Sequence, residues 1–354
     1  MRPDNIWWGQ IGNSLRLLAS VTERIRDHQS AILFMSPRFP WKERFYREID
    51  IRRAPYSVAR RLKRIAWNGK GEPGQFILTT MCPLDVQVDY WPGQTYGEYL
   101  GSRRNLVIND YDIWITGVHS KQDLTKWVEF VTQYRAAAKE SEPRAVFLIE
   151  YDGPPMKTPA LEQISCQVER YDCRVFCLEM AAELSASNLR DYQAELALSI
   201  GGSQPELCAA LLGTGNRLIE DPLAAAQSVL ASARDSYGKP FPQQSESELT
   251  SEIWLAAVAL LFPLMERYRI GFIERHRHEL TRFLPISNSN GDEVTEPFDL
   301  EIGALCYIIA NLRVHLFTPM EVSGLRLCRR VRNQLAHNKP AELSDVEAVM
   351  MLSS

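Results

Sequence analysis

Residues 324–337 read GLRLCRRVRNQLAH, and this stretch has the periodicity of a helix with two unlike faces. Its apolar side chains fall on one stripe, at spacings of one, three and four: Leu327, Cys328, Val331 and Leu335. The polar residues Arg326, Arg330, Asn333 and His337 lie on the opposite side, at spacings of four, three and four. Arg329 lies beside them, and Arg332 lies on their flank. The pattern predicts a helix that packs in a bundle and exposes a cationic face.

The sequence on both sides of this stretch also predicts helices. Thr318-Pro319-Met320-Glu321 has the spacing of a capping box with proline at the first helical position, and Pro340 should stop the same helix. Before it we expect a long helix from about Ser247 to Phe283 with a kink at Pro263, a polar loop containing Asn290-Gly291, and a helix from about Asp299 to Leu316. Ser344-Asp345-Val346-Glu347 repeats the capping signature and predicts a short final helix.

The six residues Arg332-Asn333-Gln334-Leu335-Ala336-His337 carry an arginine, a polar residue, three spacers and a histidine, and on this motif residues 247–354 resemble a HEPN domain. The resemblance implies RNA cleavage without a metal ion or other cofactor. It also implies a homodimer, or a larger protein complex, in which the motif helices of two copies share one cleft.

The residue types of the motif suit that chemistry. His337 titrates near neutral pH and can act as general base or acid, and Arg332 can stabilise the charge that develops on the phosphate. Asn333, one turn before His337, can orient the imidazole ring or the phosphate by hydrogen bonding. The candidate catalytic residues are therefore Arg332, Asn333 and His337. The residues expected to bind the RNA backbone are Arg326, Arg329, Arg330 and Lys339.

The first half of the chain alternates short apolar runs with longer amphipathic ones, which predicts an α/β domain with a mostly parallel sheet. The expected strands are Ala31 to Met35, Phe76 to Thr80, Ile113 to Val118, Val146 to Tyr151 and Arg174 to Leu178. The expected helices are Trp41 to Arg47, Pro55 to Ile65, Leu124 to Ala138 and Pro159 to Arg170. Trp7 and Trp8 are adjacent near the terminus, which makes them core material or a partner contact.

From about Ala186 the pattern becomes wholly helical, and the segment Tyr237 to Glu248 has the glycine, prolines and polar residues of an exposed connection. We therefore expect three parts. They are an α/β regulatory domain over 1–185, a helical lid or linker layer over 186–240, and an all-α HEPN-like domain over 241–354.

The turn after the first expected strand, Ser36 to Lys42, contains no glycine, so it lacks the phosphate-binding loop of a P-loop ATPase. The domain is loosely similar to AAA-like or STAND-type modules, which would make it a degenerate, non-hydrolysing copy. Glu150 could mimic an acidic Walker B residue or be an ordinary strand-end carboxylate. A dense run of basic residues consists of Arg52, Arg53, Arg60, Arg61, Lys63 and Arg64. We expect it on a helix whose buried side is Val58, Leu62 and Ile65. The run is either a solvated helix face or a surface that binds nucleic acid or an acidic partner.

The bulk composition is that of a water-soluble protein without a global attraction to nucleic acid. The 354 residues hold 40 Lys and Arg against 44 Asp and Glu, so any such attraction must be local. The polar N-terminus and seven scattered cysteines predict a cytoplasmic protein with reduced thiols and no metal site. The most apolar stretch, Ile253 to Met265, is shorter than a membrane helix needs, so no membrane is expected.

These expectations combine into a regulatory front domain coupled to a ribonuclease effector, an arrangement that resembles bacterial phage-defence or toxin systems. The alternative is a scaffold or adaptor without activity, in which the helical domain oligomerises and the front domain docks a partner protein. A nucleotide-binding ATPase is the third interpretation, and the missing glycines disfavour it.

Overall fold

The computed structural model describes residues 2–56, 60–138, 144–154, 156, 158–184, 189–287, 291–311 and 317–352. Within them the chain divides into two compact units, residues 2–172 and residues 173–354. We call them the front unit and the second unit.

The front unit is an α/β domain in which helices alternate with parallel strands. Its elements are α1 (Pro3–Gln10), α2 (Gly12–Arg26), β1 (Ala31–Met35), α3 (Lys42–Arg53), β2 (Arg61–Ala66), α4 (Pro73–Met81), α5 (Leu84–Val88), α6 (Tyr96–Ser102), β3 (Tyr111–Val118), α7 (Lys121–Ala137), β4 (Val146–Tyr151), β5 (Glu162–Cys166) and the start of α8 (Arg170–Leu184).

All five strands are parallel, and they lie in the order β2-β3-β4-β1-β5. Ala31 at the start of β1 lies opposite Leu148 of β4 on one side and Glu162 of β5 on the other. The predicted α/β class with a parallel sheet is therefore confirmed, as are the strands that we name β1, β3 and β4. These three are the interior strands, which helices cover on both faces and which are accordingly continuous apolar runs.

Four of the predicted elements are wrong: two expected strands are helical, and two expected helices contain strands. The runs expected as strands at Phe76 to Thr80 and Arg174 to Leu178 lie in the helices α4 and α8. A short apolar run by itself fits a strand or a helix. In the structure the buried residues of these two segments recur at helical spacing. The segments expected as helices at Pro55 to Ile65 and Pro159 to Arg170 contain the edge strands β2 and β5. Edge strands carry charged and polar side chains, which hides them from a search for apolar runs.

The core of the front unit is rich in aromatic side chains. Trp114 of β3 and Trp127 of α7 are fully buried, and so are Trp8 of α1 and Phe45 of α3. Trp7 is also buried, so the adjacent pair near the terminus belongs to the core and is not available as a surface for a partner.

The second unit continues from α8 and is mainly helical. Its further elements are α9 (Arg190–Gly201), α10 (Pro205–Leu212), α11 (Arg217–Glu220), α12 (Pro222–Ser232), α13 (Glu246–Arg275), α14 (Arg277–Thr281), β6 (Ile286–Ser287), β7 (Glu293–Val294), α15 (Ile302–Asn311), α16 (Pro319–Ala336) and α17 (Leu343–Met351). The short antiparallel pair of β6 and β7 corrects the expectation that this part is entirely helical.

The long helix α13 is the central element of the second unit, since it packs against α9, α12, α16 and α17. It runs as one 30-residue helix through Pro263, which is exposed. Among the described helices it alone has the length and apolar composition to cross a membrane, a test that core helices of water-soluble proteins also pass. The apolar stretch of residues 253–265 is too short to cross a membrane, as expected from the sequence, but the whole of α13 is long enough.

Candidate functional site

Helix α16, which carries the RNQLAH motif, begins as its sequence predicts. Thr318 is the N-cap, its hydroxyl accepts the backbone N–H of Glu321, the Glu321 carboxylate accepts the backbone N–H of Thr318, and Pro319 follows the cap. This confirms the capping box and satisfies backbone donors that would otherwise lack partners. The start of α17 differs from the prediction, because its N-cap is Glu342 and not Ser344.

The end of α16 places His337 just outside the helix. Ala336 is the last helical residue and His337 is the C-cap, with its backbone N–H directed to the carbonyls of Asn333 and Gln334. Asn338 adopts the left-handed conformation with φ 56°, a common helix ending for asparagine. The chain therefore turns away at the histidine, whose side chain is exposed.

One face of α16 packs into the second unit and fixes the helix in place. Its buried residues are Gly324, Leu325, Cys328, Val331 and Leu335, so the predicted stripe is displaced slightly, since Leu327 is only partly buried. The indole N–H of Trp254 in α13 donates to the carbonyl of Leu335 at 2.8 Å. This hydrogen bond connects the last turn of α16 to α13, two residues before His337.

The opposite face of α16 is exposed, as is Lys339 beyond its end. Its exposed polar residues are Arg326, Arg329, Arg330, Asn333 and His337. Arg326 and Arg329 lie near Cys306 of α15, where they partly offset the burial that raises the pKa of this thiol. The structure thus brings five of the sequence-predicted residues onto one face, with Arg332 partly exposed at its border.

Two arginines of this set are held by carboxylates. Arg330 forms an ion pair with Asp345 of α17, which is buried, and Arg332 Nη1 lies 3.3 Å from Glu301. Both guanidinium groups remain exposed enough to meet a phosphate. The Arg332 and Glu301 pair is exposed and contributes little to stability, so its exchange for an RNA phosphate is inexpensive.

The side chains of the three candidate catalytic residues form no hydrogen bond or ion pair with one another within one chain. Arg332 and His337 are five positions apart, which on a helix turns their side chains about 140° apart. Among the residues that the structure describes, none forms a hydrogen bond with the ring of His337. One copy of the chain therefore presents the arginine and the histidine on different flanks.

A second polar cluster lies at the start of α16, and sequence reasoning missed it. His276 Nε2 lies 2.9 Å from the Glu321 carboxylate, and Arg275 Nε lies 3.4 Å from it. Burial acts to raise the pKa of Glu321, but hydrogen bonds from His276 and Thr318 outweigh it and lower the pKa to about 2. Glu321 was recognisable as a capping residue, but its histidine partner is 45 residues away along the chain.

In the front unit, the position where a phosphate loop would lie is filled by an internal cluster. Lys42, at the start of α3, forms an ion pair with Glu150 at 2.5 Å. The same buried carboxylate accepts hydrogen bonds from Tyr46 at 2.5 Å and from the indole of Trp114 at 2.8 Å. The carboxylate of Glu150 therefore has its ion-pair and hydrogen-bond partners within the front unit.

The basic run is split between α3 and β2, and half of it has internal partners. Arg53 and Arg60 pair with Asp112, and Arg64 pairs with Asp50. Arg61 and Lys63 are exposed on the edge strand β2, so the run is not one helical face, and Val58 lies outside the described residues. All seven cysteines are buried and none forms a disulfide, and no cluster that could hold a metal ion occurs in the described part of the chain.

Comparison with known proteins identifies no family. No family model matches the chain, and no curated protein matches it. Among solved structures, it is similar to one described as the structure of the Aeropyrum pernix ORC1 protein in complex with DNA. That likeness has 12% sequence identity and a TM-score of 0.34, over 99% of this chain and 96% of the other. A TM-score this low supports no inference about this chain.

Proposed function

We propose that the second unit is a HEPN-like endoribonuclease that cleaves RNA without a metal ion, as a homodimer or within a larger complex under control of the front unit. In this proposal the protein is the effector of a bacterial defence or toxin system. The observation that carries it is the two-sided character of α16. The helix is anchored through a buried apolar face, and it exposes arginines, an asparagine and a terminal histidine on the other.

The exposed cations suit the binding of an RNA backbone. Arg326, Arg329 and Lys339 are exposed along and beyond the helix, and phosphates are recognised by such permanently charged groups. Arg330 extends the same surface, because its guanidinium group is exposed although it pairs with Asp345. Binding of this kind weakens as salt rises, because it releases condensed counterions.

The cleavage step needs a base, a charge stabiliser and a nucleophile. Without a metal-activated water, the ribose 2′-hydroxyl is the nucleophile, and the His337 imidazole takes its proton. The 2′-oxygen bonds to phosphorus as the bond to the 5′-oxygen breaks, and the departing 5′-oxygen takes a proton from water. Arg332 stabilises the negative charge on the phosphate oxygens during this exchange. The products are a 2′,3′-cyclic phosphate and a 5′-hydroxyl.

The position of these residues favours a site shared between two copies. Since Arg332 and His337 lie on different flanks of α16, a phosphate between two facing motif helices can meet the arginine of one copy and the histidine of the other. In a two-fold symmetric pair each copy contributes the same surface, so two such combinations arise.

Cleavage of total RNA by purified variants tests the proposal. Arg332→Ala and His337→Ala are each expected to lower the cleavage rate at least about a hundredfold in the presence of EDTA, with thermal melts unchanged. Arg267→Ala is the matched control, because Arg267 is an exposed arginine on α13 and is expected to leave the rate unchanged. Cleavage that persists in both site variants would remove these residues from the mechanism.

A scaffold without activity is the second candidate, and the ion pairs of Arg330 and Arg332 favour it. Arginines that serve only to hold α15 and α17 against α16 need no substrate. In that case the wild-type protein does not cleave RNA, and Glu301→Gln and Asp345→Asn each lower the stability of the second unit. A ribonuclease instead keeps its stability in Glu301→Gln and frees Arg332 for the phosphate.

A further inference from the structure

The basic run of the front unit divides into a paired half and an unpaired half. Arg53 and Arg60 converge on the buried carboxylate of Asp112, and Arg64 pairs with Asp50. These three arginines neutralise carboxylates of the front unit itself. The other three cations of the run have side chains that form no hydrogen bond or ion pair with any residue that the structure describes: Arg52, Arg61 and Lys63.

The paired half fixes the unpaired cations at one end of the sheet. Arg53 is the last residue of α3, Arg60 directly precedes β2, and their guanidinium groups lie 3.4 and 2.9 Å from the Asp112 carboxylate. Asp112 lies near the start of β3, which runs parallel to β2. The end of α3 therefore lies at the amino ends of β2 and β3, so the unpaired cations of both segments belong to the same end of the front unit.

An exposed tyrosine accompanies these cations. Tyr56 lies in the 3-10 turn Ala54–Tyr56 that continues α3, and it is 62% exposed. It follows Arg52 by four residues along this helical path, a spacing that makes the two side chains neighbours. Arg26, at the end of α2, is close enough to interact electrostatically with Tyr56, and its own ion pair with Asp27 is exposed and weak. We call Arg26, Arg52, Tyr56, Arg61 and Lys63 the α3/β2 surface.

Two general effects explain part of this charge. The carboxyl ends of α2 and α3 favour basic side chains in their last turns, which applies to Arg26 and Arg52. Basic side chains on an edge strand deter its pairing with another strand, which applies to Arg61 and Lys63. Neither effect accounts for Tyr56, whose ring is mostly in water beside two arginines.

We propose that the α3/β2 surface binds single-stranded RNA, with its unpaired cations at backbone phosphates and a base stacked on Tyr56. Guanidinium and ammonium groups without protein partners suit phosphates, and an exposed aromatic ring provides the stacking that holds an unpaired base. An acidic protein segment would pair with the cations but leave the ring unused. The choice of RNA as the ligand rests on the proposed function, in which the second unit cleaves it.

Fluorescence anisotropy with an oligouridylate of about 12 nucleotides, a length within the span of single-strand sites, measures the binding. The protein is the full chain carrying His337→Ala, so that the probe is not cut. We expect saturable binding that weakens as salt rises. The same strand paired with its complement should bind more weakly, because a paired base cannot stack on Tyr56.

Variants separate the cations from the ring. The triple variant with Arg52→Gln, Arg61→Gln and Lys63→Gln should weaken binding at least about tenfold. It should also lower the salt slope of log K by about 2, at roughly 0.7 for each lost phosphate contact. Tyr56→Ala should weaken binding about fivefold or more, through the loss of one stack, and leave the slope unchanged.

Matched controls and thermal melts accompany these variants. Lys70→Gln changes an exposed lysine beyond the other end of β2, and Tyr171→Ala changes a tyrosine that is 72% exposed on α8. Both controls should bind the probe as the parent chain does. Because α16 also exposes arginines, crosslinking of a probe that carries 4-thiouridine locates the site, and we expect a crosslinked peptide that contains Tyr56.

Three results would overturn the proposal. They are unchanged binding in the folded triple variant, crosslinks confined to the second unit, and polyglutamate that competes as well as unlabelled oligouridylate. Cleavage is measured separately on the wild type. Binding at Tyr56 without cleavage would keep this surface and remove the nuclease, whereas cleavage without that binding would do the reverse.

Discussion

At the residue scale, the position of α16 depends on Gly324. A Cβ at this residue would lie 2.5 Å from Cζ of Tyr268 in α13, a distance that real side chains do not reach. The tyrosine is held at this same end, because its hydroxyl donates to the carbonyl of Glu321 at 3.3 Å. The close approach of α13 and α16 therefore requires glycine, and it sets the orientation of the cationic face.

Gly324→Ala is expected to lower the free energy of unfolding by about 1–3 kcal/mol, the usual cost of overpacking. Chemical denaturation of the full chain measures it. Gly303→Ala in α15 is the control, since a Cβ there meets no atom within 4 Å and helix propensity favours alanine. Equal stability of the two variants would mean that the helices separate without cost.

The Lys42 and Glu150 pair gives a second prediction at this scale. Lys42→Met leaves a carboxylate that is only 3% exposed without its cation, so we expect a loss of about 3 kcal/mol or more in unfolding free energy. Adding Glu150→Gln to this variant should restore most of the loss. The control Lys70→Met removes an exposed lysine and should change little. A loss below about 1 kcal/mol in the single variant would contradict the buried pair.

Glu321 predicts how stability depends on acid. Its pKa is lowered from 4.5 to about 2 in the folded chain, so its contribution is fully present above pH 4.5 and is lost as the pH falls toward 2. Glu321→Gln keeps a side chain that can cap the helix but removes the charge. The difference in unfolding free energy between wild type and this variant should therefore shrink from pH 5 to pH 2. A constant difference across that range would contradict the assignment.

At the scale of elements, the sequence predicts what lies inside and misses what lies at edges. The three interior strands of the front unit are apolar runs, and the capping box of α16 is a local signal, so both were predictable. The edge strands β2 and β5 are charged or polar, and only pairing with distant strands makes them strands. Segments of α4 and α8 were predicted as strands because apolar runs of five residues fit both a helix and a strand.

Helix α13 presents an apolar face for which the described residues provide no cover. Leu255, Phe262 and Ile270 are 41%, 45% and 39% exposed, although residues 253–265 carry no charge. Trp254, next to Leu255 in the sequence, is hydrogen-bonded to the last turn of α16, the helix that carries the motif. A second copy of the chain is the occupant that the proposed shared site requires.

Phe262→Asp is accordingly expected to weaken the dimer by at least tenfold in dissociation constant, or about 1.4 kcal/mol, because it places a charge in an apolar contact. Sedimentation or light scattering across protein concentration measures it. Met320→Asp, at a more exposed apolar residue at the start of α16, serves as the control. A dimer of unchanged strength would place the interface elsewhere.

At the scale of the whole molecule, the candidate site was predictable as a set of residues but not as an arrangement. The spacing of the motif correctly placed its polar residues on an exposed face, whereas the partners of Arg330 and Arg332 come from other helices. The His276 and Glu321 cluster likewise joins residues far apart in the chain. Such contacts depend on tertiary packing, which local periodicity does not encode.

The central claim is that two copies combine their motif helices, and mixing two inactive variants tests it most directly. Arg332→Ala still carries His337, and His337→Ala still carries Arg332, so a mixed dimer holds one complete combination across the cleft. After subunit exchange, confirmed by mass, an equal mixture should recover up to about a quarter of wild-type cleavage, since half the dimers are mixed and each has one of two combinations. A mixture that exchanges subunits and remains inactive, beside an active wild type, would contradict the shared site.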